Sequence, residues 1–216
     1  MPQGTTSSRA IIYDQDGSCL AQSQQEITQI YPRSGWIEHD REEIWSTTLE
    51  VCRKVLTQVG GVGNVDAIGI TNQRETTVMW ERASGRPVYN AIVWQDRRGA
   101  ERCESLRRDG RESGLIERTG LLADSYFSAT KAEWLLDQFD PTRVRALRGE
   151  LACGTIDSFL IRRLTGGSTF ATDATNASRT LLFNIHEQDW DPELLATFNV
   201  PINYSPTCAI VRQISG

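Results

Sequence analysis

The sequence has little of what marks several large classes of protein. It contains only two histidines, its 39% of hydrophobic residues include no run near the ~20 residues that span a bilayer, and no signal peptide is visible at its start. The net charge of −5 gives no basic excess for contacts with nucleic acid. We therefore expect a soluble cytoplasmic protein that binds neither membranes nor nucleic acids.

The five cysteines are too scattered to form a disulfide framework or a metal site. No two of them make a C-x-x-C pair, and His39 and His186 are too remote from each other to complete a zinc site. The cysteines are Cys19, Cys52, Cys103, Cys153 and Cys208. We expect reduced thiols that mostly fill buried space, and no metal site within the chain.

The order of apolar and turn segments predicts one α/β domain with a mixed sheet, and 216 residues are enough to bury its core. Strands are expected at 9–14, roughly 19–30, 65–71, 77–81 and 88–93, with Asp16-Gly17 as a hairpin turn. Asp40 and Glu43 are spaced like a capping box for a helix that ends near Gln58. Further helices are expected near 99–109, 130–139, 141–148, 156–164 and 192–197.

An arginine and a glutamate stand side by side in the segment from Gly69 to Thr77, directly after an apolar run. Arg74 offers a fixed fork of donors and Glu75 an anionic acceptor, and a polyol needs both because each hydroxyl donates and accepts. Charge-assisted hydrogen bonds of this kind are roughly twice as strong as neutral ones. The alternative is a solvated pair of neighbours in a loop.

A turn rich in hydroxyl groups, from Gly4 to Arg9, precedes the first predicted strand. Backbone N–H groups and side-chain oxygens in such a turn can hold phosphate oxygens. Turns of this composition also commonly serve only to connect elements. The turn alone is therefore a weak signal, which needs support from other segments.

Five separated motifs, in this order, resemble the FGGY family of carbohydrate kinases, and in particular those members that phosphorylate glycerol. They are Gly4–Arg9, Gly69–Thr77, Asn90–Arg98, Asp124–Lys131 and Asn176–His186, and the segment Ile30–Asp40 agrees as well. The match covers residues 1–216 as the N-terminal domain of such a kinase. It implies a ribonuclease-H-like fold, shared with actin and hexokinase, with a helical insertion in the second half.

The resemblance implies a binding role for four residues at the polyol. Arg74 and Glu75 would bind the hydroxyls of glycerol, and Tyr126 would contact glycerol through its own hydroxyl. Trp94 would pack on the carbon chain, since an indole face suits the apolar C–H side of a triol. The alternative for Trp94 and Tyr126 is ordinary core packing.

The resemblance also implies a nucleotide site. Thr5, Thr6, Ser7 and Arg9 would hold the phosphates of ATP, whose transfer depends mainly on positioning and charge neutralisation. The segment from Gln95 to Arg98 either orients Trp94 or forms a structural ion-pair cluster, so it is left out of the predicted site.

The implied reaction is ATP-dependent phosphorylation of a terminal hydroxyl of glycerol, giving glycerol 3-phosphate, with Mg²⁺ in the full-length protein. A kinase for another sugar, such as xylulose or gluconate, is one alternative. A catalytically inactive domain that acts as a binding or dimerisation module is another. Dimers and tetramers are common in the family, so a homo-oligomer is expected.

Two parts of the family pattern are absent from these residues. Members begin with an apolar strand that ends in an Asp, which helps to organise hydrated magnesium, and Pro2 stands at that position here. The general-base Asp, an adjoining Gln and the adenine pocket belong to a second domain beyond Gly216. We therefore assign no catalytic residue within the chain and expect negligible turnover from the chain alone.

The absent first strand would lie between the predicted strands 9–14 and 65–71. Without it, both flanking strands have unpaired backbone groups, each of which costs roughly 1–3 kcal/mol if it is buried. We expect this gap to be closed by rearranged pairing, by a partner chain or by flanking residues.

Overall fold

The computed structural model describes residues 1–209, which fold as a mixed α/β structure. The strands are Pro2–Gln3 (β1), Ser7–Tyr13 (β2), Cys19–Glu26 (β3), Glu38–His39 (β4), Thr71–Asn72 (β5), Thr77–Glu81 (β6), Ala91–Ile92 (β7), Leu151–Thr155 (β8), Ala171–Asp173 (β9), Phe183–Asn184 (β10), Asp189–Trp190 (β11) and Thr207–Ala209 (β12). The helices are Arg41–Gln58 (α1), Ala100–Arg108 (α2), Glu112–Thr119 (α3), Ser128–Phe139 (α4), Val144–Leu147 (α5), Ile156–Leu164 (α6), Ala174–Ala177 (α7) and Pro192–Thr197 (α8).

The N-terminal sheet has the strand order β3-β2-β1-β5. β2 and β3 pair antiparallel along their whole length, as the Asp16-Gly17 turn predicts. β1 is only two residues long, but it pairs with a strand on each side. Gln3 lies opposite Ser8 in antiparallel register, and Pro2 lies opposite Thr71 in parallel register. β1 therefore occupies one end of the position predicted for the absent strand.

Beyond β1 the gap in this sheet stays open. A cavity of about 480 Å³ lies between β2, α1 and residues 65–69, and its walls include Ile11, Val55 and Ile68. The strand predicted at 65–71 is wrong except for Thr71, because residues 65–70 have no neighbouring strand to complete a ladder. Flanking residues therefore fill one end of the gap, as one of the three expected alternatives has it, and closure of the remainder by a partner chain stays a prediction.

The second sheet has the strand order β4-β7-β6-β8 and is continuous across its centre. β6 pairs antiparallel with β8 from Thr77 opposite Thr155 to Glu81 opposite Leu151. The predicted hairpin partner at 88–93 is shorter than expected, with Ala91–Ile92 as its strand, and β8 was not predicted. This sheet and helices α2 to α4 enclose the largest apolar core, which includes the fully buried Met79, Ile92, Leu106, Leu135 and Leu136.

The predicted helices at 99–109, 130–139, 156–164 and 192–197 are confirmed within a few residues, and the one at 141–148 is the shorter Val144–Leu147. α3 and α7 were not predicted. Asp40 caps α1 by accepting a hydrogen bond from the N–H of Glu42 at 2.8 Å. The predicted capping box is wrong, because the Glu43 carboxylate instead accepts from the N–H and hydroxyl of Thr28 at 3.2 and 2.9 Å.

The cysteines are all free, as predicted, but most of them do not fill the core. Cys103 and Cys153 are buried, whereas Cys52 and Cys208 are half-buried and Cys19 is exposed. No helix within residues 1–209 combines the length and the apolar character needed to cross a membrane.

Candidate functional site

Arg74 and Glu75 lie in the turn between β5 and β6, and their side chains have very different surroundings. The Arg74 side chain is 45% exposed and that of Glu75 only 3%, with 4.0 Å between Arg74 Nε and Glu75 Oε1. A solvated pair of neighbours is therefore the wrong description of Glu75, whose carboxylate is enclosed by protein. Arg74 keeps its donors near solvent.

The Glu75 carboxylate has a second and closer basic partner. Arg179 Nε, just after α7, donates to Glu75 Oε1 at 2.7 Å. The Glu75 carbonyl oxygen also accepts hydrogen bonds from the hydroxyls of Ser128 and Thr77, each at 3.1 Å. Both the side chain and the backbone of Glu75 are thus fixed by elements distant in sequence.

Trp94 and Tyr126 form the aromatic part of the site. Their ring centroids are 5.1 Å apart at an interplanar angle of 53°, and both side chains are half-buried. The backbone N–H of Trp94 donates to Thr76 Oγ1 at 3.2 Å, next to Glu75 in the turn. The structure therefore brings Glu75, Trp94 and Tyr126 into one connected group with Arg74 at its edge.

Lys131 fixes the segment that carries Tyr126. Its ammonium group donates to the carbonyl oxygens of Ser125, Tyr126 and Phe127 at 2.8, 2.7 and 2.9 Å. Lys131 is buried, and this burial lowers its pKa to about 7, although Asp96 and Glu75 act in the opposite direction. The backbone before α4 is held by one side chain.

The hydroxyl-rich turn touches this group directly. The Trp94 indole N–H donates to Thr5 Oγ1 at 2.8 Å, and the N–H of Gly4 closes the turn by donating to the Ser7 carbonyl at 2.9 Å. Ser7 Oγ accepts from the side-chain amide of Gln24 at 3.0 Å. The indole that faces Tyr126 is therefore also a neighbour of the predicted phosphate turn.

The hydroxyl groups of this turn suit phosphate oxygens. The hydroxyls of Thr5 and Ser7 each accept a hydrogen bond. Among the described residues, neither hydroxyl donates its own proton to a protein acceptor. Thr6 is exposed. The Arg9 guanidinium, further along β2, donates to Gln24 Oε1 at 3.0 and 2.5 Å and stays exposed. The turn thus carries one exposed and two half-buried hydroxyl groups, and Ser7 and Arg9 share Gln24 as a hydrogen-bond partner.

The residues present do not fit a magnesium site. Pro2 has no side-chain oxygen, and within residues 1–209 no group of three acidic, histidine or cysteine side chains is placed to hold a metal ion. We assign no metal ligand to this chain.

The segment from Gln95 to Arg98 was predicted either to orient Trp94 or to form a structural ion-pair cluster, and the structure shows the cluster. Arg98 donates to Glu38 at 2.7 Å and to Asp96 at 2.9 Å, and all three side chains are buried. The Arg98 guanidinium also lies 3.9 and 4.4 Å from the ring centroids of Trp36 and Trp134. These contacts form a structural ion-pair cluster, which joins β4 to α4.

The mixed sheets, the hydroxyl-rich turn and the polar and aromatic group beside it define an α/β sugar-kinase domain of the actin and hexokinase type. The chain matches, over residues 1–216, the N-terminal domain of the FGGY family of carbohydrate kinases. It therefore belongs to this family, and the resemblance found in its motifs is confirmed.

Curated relatives include two bacterial glycerol kinases. That of Rhodospirillum centenum is 60% identical over 205 residues, which are 94% of this chain and 41% of the relative. That of Rhodopirellula baltica is 56% identical over 217 residues, which are 100% of this chain and 40% of the relative. The chain spans about 40% of the length of these curated relatives.

Solved structures agree on the fold. The crystal structure of Plasmodium falciparum glycerol kinase with ADP superposes with a TM-score of 0.91 at 32% identity, covering 96% of this chain and 42% of that one. A ligand-bound xylulose kinase from Lactobacillus acidophilus gives a TM-score of 0.84 at 23% identity, covering 97% and 41%, and supports the fold alone. The predicted fold class is confirmed.

Proposed function

We propose that this chain is the N-terminal domain of an ATP-dependent glycerol kinase, which transfers phosphate to a terminal hydroxyl of glycerol. The glycerol kinases among its relatives support this assignment, with identities of 60% and 58% in two examples. We also propose that the whole protein is cytoplasmic and forms homo-oligomers, as expected from the family. The general base and the adenine pocket would come from a second domain.

The observation that carries the proposal is the contact of one indole with both halves of the site. Trp94 packs against Tyr126 on its ring and donates to Thr5 through its N–H group. A triol resting on the indole would lie beside the phosphate turn, as direct transfer between the two substrates requires. Glu75 next to it would accept hydrogen bonds from the hydroxyls, and Arg74 would donate to them.

The phosphate side of the proposal rests on the hydroxyls of the turn. Thr5, Thr6 and Ser7 would donate to phosphate oxygens, and Arg9 would add positive charge nearby. Preorganised donors and charge neutralisation are the main contributions that proteins make to phosphoryl transfer. Within this chain they would bind and orient ATP.

A ligand titration tests the proposal on the chain itself. We expect glycerol in the millimolar range to shift the NMR signals of the Trp94 indole N–H and the Tyr126 ring, and xylulose to shift them less. Arg74→Ala should weaken glycerol binding about tenfold to a hundredfold, since a hydrogen bond to a charged group is worth roughly 1.5–3 kcal/mol.

Arg86→Ala is the matched control, because Arg86 is 76% exposed and its ion-pair partner is Glu81, which is not among the predicted polyol-binding residues. Unchanged Trp94 and Tyr126 signals at high glycerol concentration would refute the polyol site. Equal responses to glycerol and xylulose would refute the choice of glycerol. Normal glycerol phosphorylation by the chain alone would refute the need for a second domain.

A further inference from the structure

The motif from Asn176 to His186 has no role in the function proposed so far. It places Arg179 in contact with Glu75 and Tyr126, two residues predicted to bind the polyol. Its Nε lies 2.7 Å from Glu75 Oε1. Its guanidinium carbon is 5.8 Å from the Tyr126 ring centroid and 4.9 Å from that of Phe127. Arg179 therefore bridges the anionic and the aromatic parts of the site.

Burial makes the orientation of the Glu75 carboxylate depend on its protein neighbours. A carboxylate that is 3% exposed has lost most of its hydration, so protein donors must take the place of water around its oxygens. Two guanidinium groups lie within 4.0 Å of it, Arg74 from the same turn and Arg179 from beyond α7. The amino group of Lys131 is committed to three carbonyl groups and does not take this role.

The two arginines have different geometries. Arg179 makes the short hydrogen bond and is 27% exposed, whereas Arg74 stands 4.0 Å away and is 45% exposed. Because Arg179 makes the short hydrogen bond to the carboxylate, the more exposed donors of Arg74 remain available to a ligand.

We propose that Arg179 is a positioning residue of the polyol site, which holds the Glu75 carboxylate in one orientation and braces the Tyr126 ring. This inference rests on the proposed function for its ligand. Arg179 acts through Glu75 and Tyr126 and makes no contact with the polyol. Arg74 makes the direct contact.

The test compares Arg179→Met, Arg179→Lys and Glu75→Gln in the full chain, with glycerol as the probe. We expect Arg179→Met to bind glycerol at least tenfold more weakly than the wild-type chain. Arg179→Lys should restore part of the affinity, since it keeps a cationic donor beside Glu75. In the Glu75→Gln background, Arg179→Met should cause little further loss, since the carboxylate that Arg179 positions is already absent.

Arg118→Met is the matched control. Arg118 is 28% exposed and bridges α3 to Asp191 and Glu193, which are not among the predicted polyol-binding residues, so its loss should leave glycerol affinity unchanged. Equal losses of affinity in Arg118→Met and Arg179→Met would overturn the proposal. So would wild-type affinity in Arg179→Met.

A measurement without ligand separates this inference from the proposed function. At neutral pH and without glycerol, the carboxyl ¹³C signal of Glu75 and the ring signals of Tyr126 should move in Arg179→Met, and those of Arg118→Met should match the wild type. Glycerol binding absent from the wild-type chain would defeat the proposed function, whereas unmoved Glu75 and Tyr126 signals would defeat the role of Arg179. Should Arg179→Met fail to fold, Arg179→Lys and Arg179→Gln carry the same comparison.

Discussion

The two four-stranded sheets differ in how fully their backbone is paired. In the second sheet β6 has a partner on each side, and Val78, Met79 and Trp80 are completely buried. In the N-terminal sheet β1 ends after two residues, and the cavity beside β2 leaves Ile68 62% exposed. The candidate site lies where these regions meet.

This difference separates the two halves of the site. Glu75 lies in the turn just before β6, and Trp94 and Tyr126 lie next to β7 and α4, within the packed region. Thr5 and its neighbours lead into β2 of the incomplete sheet. Glu75, Trp94 and Tyr126 therefore lie beside the sheet that is paired across its centre, and the hydroxyl-rich turn leads into the sheet with the cavity.

The largest contrast is expected in amide hydrogen exchange. Amides of Val78 to Trp80 should exchange only through global unfolding, whereas those of residues 65–70 should exchange through local opening. Since global unfolding of a domain requires about 5–15 kcal/mol, the rates should differ by at least about a thousandfold. NMR-detected exchange at neutral pH measures both sets, and similar protection in both would remove the distinction.

Loss of the buried Arg98 should strongly destabilise the packed region. Arg98→Met would leave Glu38 and Asp96 buried without their cation, which costs about 3–5 kcal/mol of unfolding free energy. Urea unfolding measures the loss. Arg86→Met, at an exposed pair, should change stability by less than about 1 kcal/mol. A small effect at Arg98 would show that the cluster is not a main support of this region.

Truncation of an apolar side chain compares the packing of the two regions without changing any charge. Leu136→Ala, in the completely buried core, should cost about 2–5 kcal/mol. Ile68→Ala, at the wall of the open cavity, should stay within about 0.5 kcal/mol, because its side chain is already largely hydrated. Equal losses in urea unfolding would mean that residues 65–70 are packed in solution.

The smallest expected effect is a pH dependence from His39 in β4. Burial lowers the pKa of His39 from 6.5 to about 4, so the unfolded chain binds a proton at a higher pH than the folded chain does. Its stabilising contribution is therefore complete above pH 6.5 and is lost as the pH falls toward 4, by about 3 kcal/mol at most.

Urea unfolding between pH 4 and 7 measures this slope. His39→Gln should flatten it, while His186→Gln, at an exposed position, serves as the control. Unchanged pH dependence in His39→Gln would assign the slope to other groups.

The sequence predicted those elements that are specified by neighbouring residues, such as helices with a cap and hairpins with a tight turn. The periodic apolar face and Asp40 defined α1, and the Asp16-Gly17 turn defined the β2–β3 hairpin. Residues 65–70 read as a strand because their apolar pattern is correct, but a strand also needs a neighbour. β8 was missed because Leu151–Thr155 is short and its place is set by pairing with β6.

The sequence predicted which residues belong to the site, but it did not predict the hydrogen bonds that hold their side chains in place. Arg74, Glu75, Trp94 and Tyr126 came from motif resemblance, and the structure brings them together, while their roles remain predictions. The bond between Arg179 and Glu75 joins positions 104 residues apart, so no local pattern could indicate it. The same holds for the contact between Trp94 and Thr5, 89 residues apart.

The three carbonyl groups that converge on Lys131 have a consequence for ligand recognition. Movement of residues 125–127 away from Lys131 would cost its buried amino group these three acceptors. The backbone that carries Tyr126 is thus preorganised. Binding of a ligand at this phenol would therefore cost little conformational entropy of the protein segment. Rigidity that is already present before binding favours affinity for a ligand as small as a triol, which has few contacts to offer.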